Sequence, residues 1–138
     1  MDKNLRREII LDNYNHPFNK DKKLDEPYAK VNTNNESCID NLNLYFKFDN
    51  NILKDISFDG EACAISTSAT SIMSRLILNK TKDEIKEIIN NYENMINEED
   101  YDKDNLKELI VYDEIYLQPN RKNCALLPIK AIEKALKE

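Results

Sequence analysis

The sequence predicts an α+β fold, a small three-stranded antiparallel sheet with helices packed on it. Three observations predict it. Residues Leu42 to Asp49 alternate strictly: Leu42, Leu44, Phe46 and Phe48 fall on one face, Asn43, Tyr45, Lys47 and Asp49 on the other. That is the period of a half-buried strand. Further along, Ala69, Ile72, Met73 and Leu76 recur at i, i+3, i+4 and i+7, the stripe of an amphipathic helix. Strand-like segments cluster before the main helical ones, an order that segregates helices from sheet.

The elements follow in sequence. A first helix spans roughly Leu5 to Asn15, with Leu5, Ile9 and Asp12 on one side and Ile10, Leu11 and Tyr14 beside them. His16-Pro17 ends it, because proline disfavours helical geometry in the residue before it. His16 is then expected at the helix C-terminus, near the last carbonyls, rather than on a metal. Phe18 to Pro27 reads as a polar loop, and Tyr28 to Thr33 as a weak strand. After Leu42 to Asp49, Asn50-Asn51 forms a two-residue turn, since asparagine tolerates positive φ. The return strand is Ile52 to Phe58, closed by Gly60. Tyr45, Phe46 and Phe48 are read as sheet and core residues rather than as a stacking platform.

A helix over about Ile65 to Asn79 comes next. Thr81 and Glu84 have capping-box spacing for a further helix carrying Ile85, Ile88, Ile89 and Tyr92. The acidic segment Glu98 to Asp104 reads as a solvated connection, and Asn105 to Tyr112 as a short helix. The last helix is expected from near Leu127, with Pro128 in its first turn and Ile129, Ile132 and Leu136 facing inward. No repeat or low-complexity linker interrupts the 138 residues, which read as one domain.

Composition excludes several functions. Lys plus Arg is 20 and Asp plus Glu 26, a formal net charge of −6 with only four arginines, so no nucleic-acid partner is expected. No apolar run approaches the ~18 to 20 residues that span a bilayer, and none follows the N-terminus as in a secretory signal. No membrane partner is therefore expected, and the expected location is cytoplasmic. One glycine, Gly60, cannot write a P-loop or a dinucleotide fingerprint. One histidine, His16, would have to serve any Ser-His-Asp or Cys-His machine.

The cysteines, Cys38, Cys63 and Cys124, are the candidates for distinctive chemistry. They form no CxxC pair, which excludes zinc-ribbon and thioredoxin patterns. The plain alternative is three unrelated thiols packed as small apolar groups. Their context argues otherwise. Cys38 lies in the polar stretch Asn34 to Asp40, Cys63 between a strand and a helix, and Cys124 just before or at the start of the final helix. Helix N-termini stabilise thiolates. Asp40 adds a carboxylate beside Cys38. Three thiolates and one carboxylate suit Zn²⁺, or make an incomplete set for an iron–sulfur cluster.

These residues resemble a known family. Gly60-Glu61-Ala62-Cys63-Ala64-Ile65-Ser66 resembles the Gly-Glu-Gly/Ala-Cys-Ala/Ser-Ile-Ser segment of the iron–sulfur cluster assembly scaffolds, IscU and the N-terminal domain of NifU. Asn35 to Asp40 resembles their Asn-Pro-x-Cys-Gly-Asp loop, with Glu36 in place of the proline and Ile39 in place of the glycine. Ile9 to Asn19 resembles their opening helix, and Cys124-Ala125-Leu126-Leu127 the segment that begins their last one. Within the family the chain is similar to the SufU branch. About Asn97 to Leu117 would be its insertion, Asn123 stands where IscU has a histidine, and Pro119 to Cys124 resembles the SufU pattern Pro-x-Arg-x-x-Cys.

The resemblance implies a zinc-dependent sulfur acceptor, a sulfurtransferase-like carrier in which Cys38, Asp40, Cys63 and Cys124 hold Zn²⁺. It implies that Cys38 receives persulfide sulfur from a cysteine desulfurase of the SufS type, which supplies a histidine to the zinc and releases the accepting thiolate. Downstream iron–sulfur assembly proteins would be further partners. Arg121 would orient a carboxylate at the interface or steady the site; its other reading is a solvated surface arginine. The alternative activity is a scaffold that assembles a [2Fe–2S] cluster, and so binds iron, on the same ligands.

Overall fold

The alternating segment and its return strand form the hairpin at the heart of the sheet. In a computed structural model of the chain, which describes residues 2–33 and 41–137, strands β2 (Asn41–Asp49) and β3 (Ile52–Glu61) pair antiparallel. Asn50 and Asn51 turn the chain with φ of 52° and 66°, the two positive values that a primed hairpin turn requires. Strand β1 (Ala29–Asn32) lies on the other side of β2, which gives the order β1-β2-β3. The inward set is as the alternation predicts. Leu42, Leu44 and Phe46 are buried with Leu53, Ile56 and Phe58. A register shift between Lys47 and Phe48 leaves Phe48 half-buried.

β3 continues past the predicted end at Phe58, through Gly60. That residue has φ +113°, and a Cβ there would lie 2.3 Å from the backbone oxygen of Asn41. Only glycine allows this close approach.

Helix α1 (Lys3–Asn15) departs from its reading. Leu5, Leu11 and Tyr14 are exposed, while Ile9 and Ile10 pack against the core. Its fully buried residue is polar. Asn13 Nδ2 donates to the Ile9 carbonyl at 2.9 Å, and its Oδ1 accepts from Ser71 Oγ at 2.8 Å. Ser71 in turn accepts the Phe18 amide at 2.8 Å. His16 is the C-cap, as expected, through its backbone N–H to the Asp12 carbonyl.

Helix α2 (Ala64–Ile77) is buried on nearly every side rather than on one stripe. It packs against α1, β3 and the last helix. Ser66, Thr67, Ser68, Thr70, Ser71 and Ser74 are buried along with Ala69, Ile72, Met73 and Ile77; Leu76 is only half-buried. Small hydroxyl side chains let three neighbours approach, and buried hydroxyls need partners. Thr67 donates to the Ala62 carbonyl and Thr70 to that of Ser66.

Helix α3 (Lys82–Ile96) has the predicted capping box, Thr81 with Glu84, and buries Ile85, Ile88, Ile89 and Tyr92. The predicted helix over Asn105 to Tyr112 is instead a short α4 (Lys103–Leu106) followed by a 3₁₀ segment, Lys107–Tyr112. The break falls at Lys107, whose φ is 51°. Leu106, Leu109, Val111 and Tyr112 are buried, so this stretch adds to the core, while residues 97–100 stay exposed. A second 3₁₀ segment, Ile115–Leu117, leads to helix α5 (Pro119–Leu136). α5 therefore starts well before Leu127. Pro119, not Pro128, takes the first turn, and Pro128 lies inside the helix. Among the described residues no helix is long and apolar enough to cross a membrane.

Candidate metal centre

Cys63 is the N-cap of α2, where the sequence places it. Its backbone is extended, and its Sγ accepts the amide N–H of Ser66 at 3.4 Å. An N-cap side chain in this position satisfies a first-turn amide that has no partner within the helix.

Cys124 is placed differently from its prediction. It lies inside α5, beyond the first turn, and is 8% exposed. Helical side chains tilt toward the N-terminus, and Cys124 Sγ lies 3.9 Å from the Asn120 carbonyl oxygen. It does not share Cys63's helix-start position.

The two cysteines nevertheless converge, and Ser66 is where they meet. Its amide bonds Cys63 Sγ, and its hydroxyl lies 3.6 Å from the same sulfur. That hydroxyl donates to the Cys124 carbonyl at 3.2 Å.

Cys38 and Asp40 lie outside the described residues. Both flanks of their segment are defined. The Thr33 amide donates to the Leu42 carbonyl at 2.8 Å, and the Leu42 amide to Thr33 Oγ1 at 2.9 Å. Asn41 pairs opposite Glu61, two residues before Cys63. Thr33 and Asn41 thus both stand at the end of the sheet from which β3 leads to Cys63. Among the described residues no three His, Cys, Asp or Glu side chains gather as a metal site. Arg121 lies in the first turn of α5, exposed, one turn before Cys124. The metal-ligating atoms that these two cysteines, Cys63 and Cys124, offer are soft sulfurs, and cysteine sulfur suits Zn²⁺ or an iron–sulfur cluster rather than Mg²⁺ or Ca²⁺.

Behind the cysteines stand two buried tyrosines. The Tyr112 hydroxyl bonds Ser68 Oγ, and the Tyr92 hydroxyl donates to the Ala125 carbonyl at 2.8 Å. Their rings meet edge to face at 6.2 Å. Burial pushes both phenols well above their ordinary pKa, and Cys63 adds to the rise at Tyr112. Sequence reasoning missed Ser66, Tyr112 and the polar role of Tyr92. A signal existed for Ser66, which follows Cys63 by the N-cap to N3 spacing of a helix cap.

Residues 5–138 match the model of the NifU-like N-terminal domain. The chain belongs to this family. It is 32% identical over 133 residues to the zinc-dependent sulfurtransferase SufU of Bacillus subtilis, covering 96% of this chain and 89% of that one. It is 33% identical over 116 residues to the iron–sulfur cluster assembly scaffold protein IscU of Thermotoga maritima, covering 84% and 82%. Among solved structures, a putative iron–sulfur cluster assembly scaffold protein for the SUF system from Fervidobacterium islandicum superposes with a TM-score of 0.82 at 34% identity, covering 94% of each chain. As a NifU-like N-terminal domain the chain has the sheet-plus-helices architecture of these relatives, and the predicted α+β class stands.

Proposed function

We propose that this chain is a zinc-dependent sulfur acceptor for iron–sulfur cluster assembly, a single domain over residues 1–138. Cys38, Asp40, Cys63 and Cys124 are its ligands, and a cysteine desulfurase of the SufS type is its donor. The observation that carries the reading is the meeting of Cys63 and Cys124 at Ser66, from elements far apart in sequence. The register that pairs Asn41 with Glu61, two residues before Cys63, supports it. So does the likeness to a relative named as a zinc-dependent sulfurtransferase.

Zinc, when bound, would hold its ligating thiols deprotonated at neutral pH. The remaining chemistry belongs to the chain. Cys38 Sγ attacks the outer sulfur of the donor's cysteine persulfide. A new S–S bond forms on Cys38, the donor's S–S bond breaks, and the donor cysteine leaves as its thiolate. The persulfide is passed on with no net oxidation. Cys63 and Cys124, fixed on two packed helices, act as holding ligands. Arg121, exposed one turn before Cys124, would meet a carboxylate of the docked donor or steady the site.

Two measurements test this. Purified protein should carry about one zinc per chain, and Cys63→Ser and Cys124→Ser should lose it along with stability, because binding energy at such a site is folding energy. Cys38→Ala should abolish stimulation of desulfurase turnover. Wild-type stimulation by Cys38→Ala would remove it as the acceptor. A visible iron–sulfur absorption after anaerobic purification, without zinc, would establish the [2Fe–2S] scaffold reading instead. Asn123 in place of the histidine of IscU favours zinc.

A further inference from the structure

Pro128 lies in the interior of α5, four residues after Cys124. A proline has no N–H, so the donor that an α-helix normally supplies to the i−4 carbonyl is absent there, and the ring crowds that carbonyl. The carbonyl concerned belongs to Cys124. Its donor comes from another helix, as the Ser66 hydroxyl at 3.2 Å. The next carbonyl, of Ala125, likewise accepts from outside α5, from the Tyr92 hydroxyl at 2.8 Å. Ser66 is fully buried, and its amide is already committed to Cys63 Sγ.

We infer that Pro128 and Ser66 form a matched pair that fixes Cys124 against Cys63, with Ser66 as the positioning residue of the metal centre. The proline turns a carbonyl of α5 outward as an acceptor. The serine, held by its own amide beside Cys63, supplies the hydroxyl that takes it. Because one residue bonds the Cys63 sulfur and the Cys124 backbone, the two residues share one frame instead of each following its own helix. A helix without Pro128 would satisfy that carbonyl internally, and the Cys124 backbone would no longer depend on α2 for its donor. The assignment of this frame to a metal rests on the zinc reading above; the Ser66 to Cys124 bond does not.

A double-mutant cycle tests it with Ser66→Ala, Pro128→Ala and the pair, on the full chain. Zn²⁺ affinity is read by competition with a fluorescent chelator, and denaturation midpoints are read on metal-free protein. Ser66→Ala should weaken zinc roughly 10- to 100-fold, the scale of losing an outer-shell contact. In the Pro128→Ala background residue 128 regains an N–H, so the same substitution should cost less than about threefold. The metal-free midpoints should show coupling of the same sign. Ser68→Ala, which removes a buried hydroxyl bonded to Tyr112 instead, should show no coupling with position 128. Equal effects of Ser66→Ala in both backgrounds would overturn the inference, as would unchanged zinc affinity. If the wild type binds no zinc, the functional reading fails, and the metal-free cycle alone decides whether the pair holds Cys124.

Discussion

Cys63 and Cys124 arrive at the same serine by opposite routes. Cys63 stands where the chain enters a helix, and its placement is set by local chemistry: an extended residue, an amide three positions on, and a strand end just before it. Cys124 stands within a helix whose own pattern gives it no special position. What places it is tertiary, the packing of α5 on α2 and two hydroxyls that reach the backbone from α2 and α3. A helix start is specified by its neighbours in sequence, whereas a helix interior is specified by what lies across from it.

The largest expected effect breaks the Cys63 side. Gly60→Ala combines a positive φ with a Cβ driven into the Asn41 carbonyl, and should lower stability by about 3 to 4 kcal/mol in chemical denaturation. A wild-type midpoint would show that the strand end preceding Cys63 is not rigidly set. Next, on the Cys124 side, Tyr92→Phe removes the hydroxyl from a buried carbonyl and should cost about 1 to 3 kcal/mol by the same measurement. An effect near zero would mean that the backbone next to Cys124 does not depend on its packing. Smaller still, Thr81→Ala should cost about 1 kcal/mol and leave zinc stoichiometry as it is, since the α3 cap touches neither cysteine. A loss of zinc in that variant would blur the contrast between the two routes.

The smallest effect is one of pH. The Thr81 backbone N–H bonded to the Glu84 carboxylate, with the Thr81 side chain adding to it, holds that carboxyl below its ordinary value. A lowered folded pKa stabilises the fold above the unfolded value and loses that contribution as pH falls through the folded one. Acid titration of the denaturation midpoint should therefore show a slightly shallower fall in Glu84→Gln than in wild type. Identical curves would mean that the cap adds nothing measurable.

The legibility of the sequence divides along the same line. The Leu42 to Asp49 alternation, the Asn50-Asn51 turn and the Thr81 cap are written in short-range pattern, and each appears where it was expected. So does Cys63. The start of α5 was misplaced because two prolines competed for one role: Pro128 reads naturally as a first-turn residue, and Pro119 takes that place. α2 reads as amphipathic from its apolar spacing alone, and nothing in that spacing tells that its serines and threonines are also covered. α1 misleads in the other direction, with Leu5 and Leu11 in solvent and an asparagine inside. The link between Cys124 and Ser66 was present in the text only as a proline four residues after a cysteine, a spacing that acquires meaning once a neighbouring helix is known.

The β2–β3 hairpin works as a caliper. Its hinge is the asparagine pair at one end, and its open jaws are Asn41 and Glu61 at the other. One jaw continues directly toward Cys63, the other into the segment that bears Cys38 and Asp40. Adding or deleting a residue at the hinge would therefore misalign the jaws across the length of the sheet, and a lesion at the far end of the strand from Cys63 would be felt in the register that leads to it.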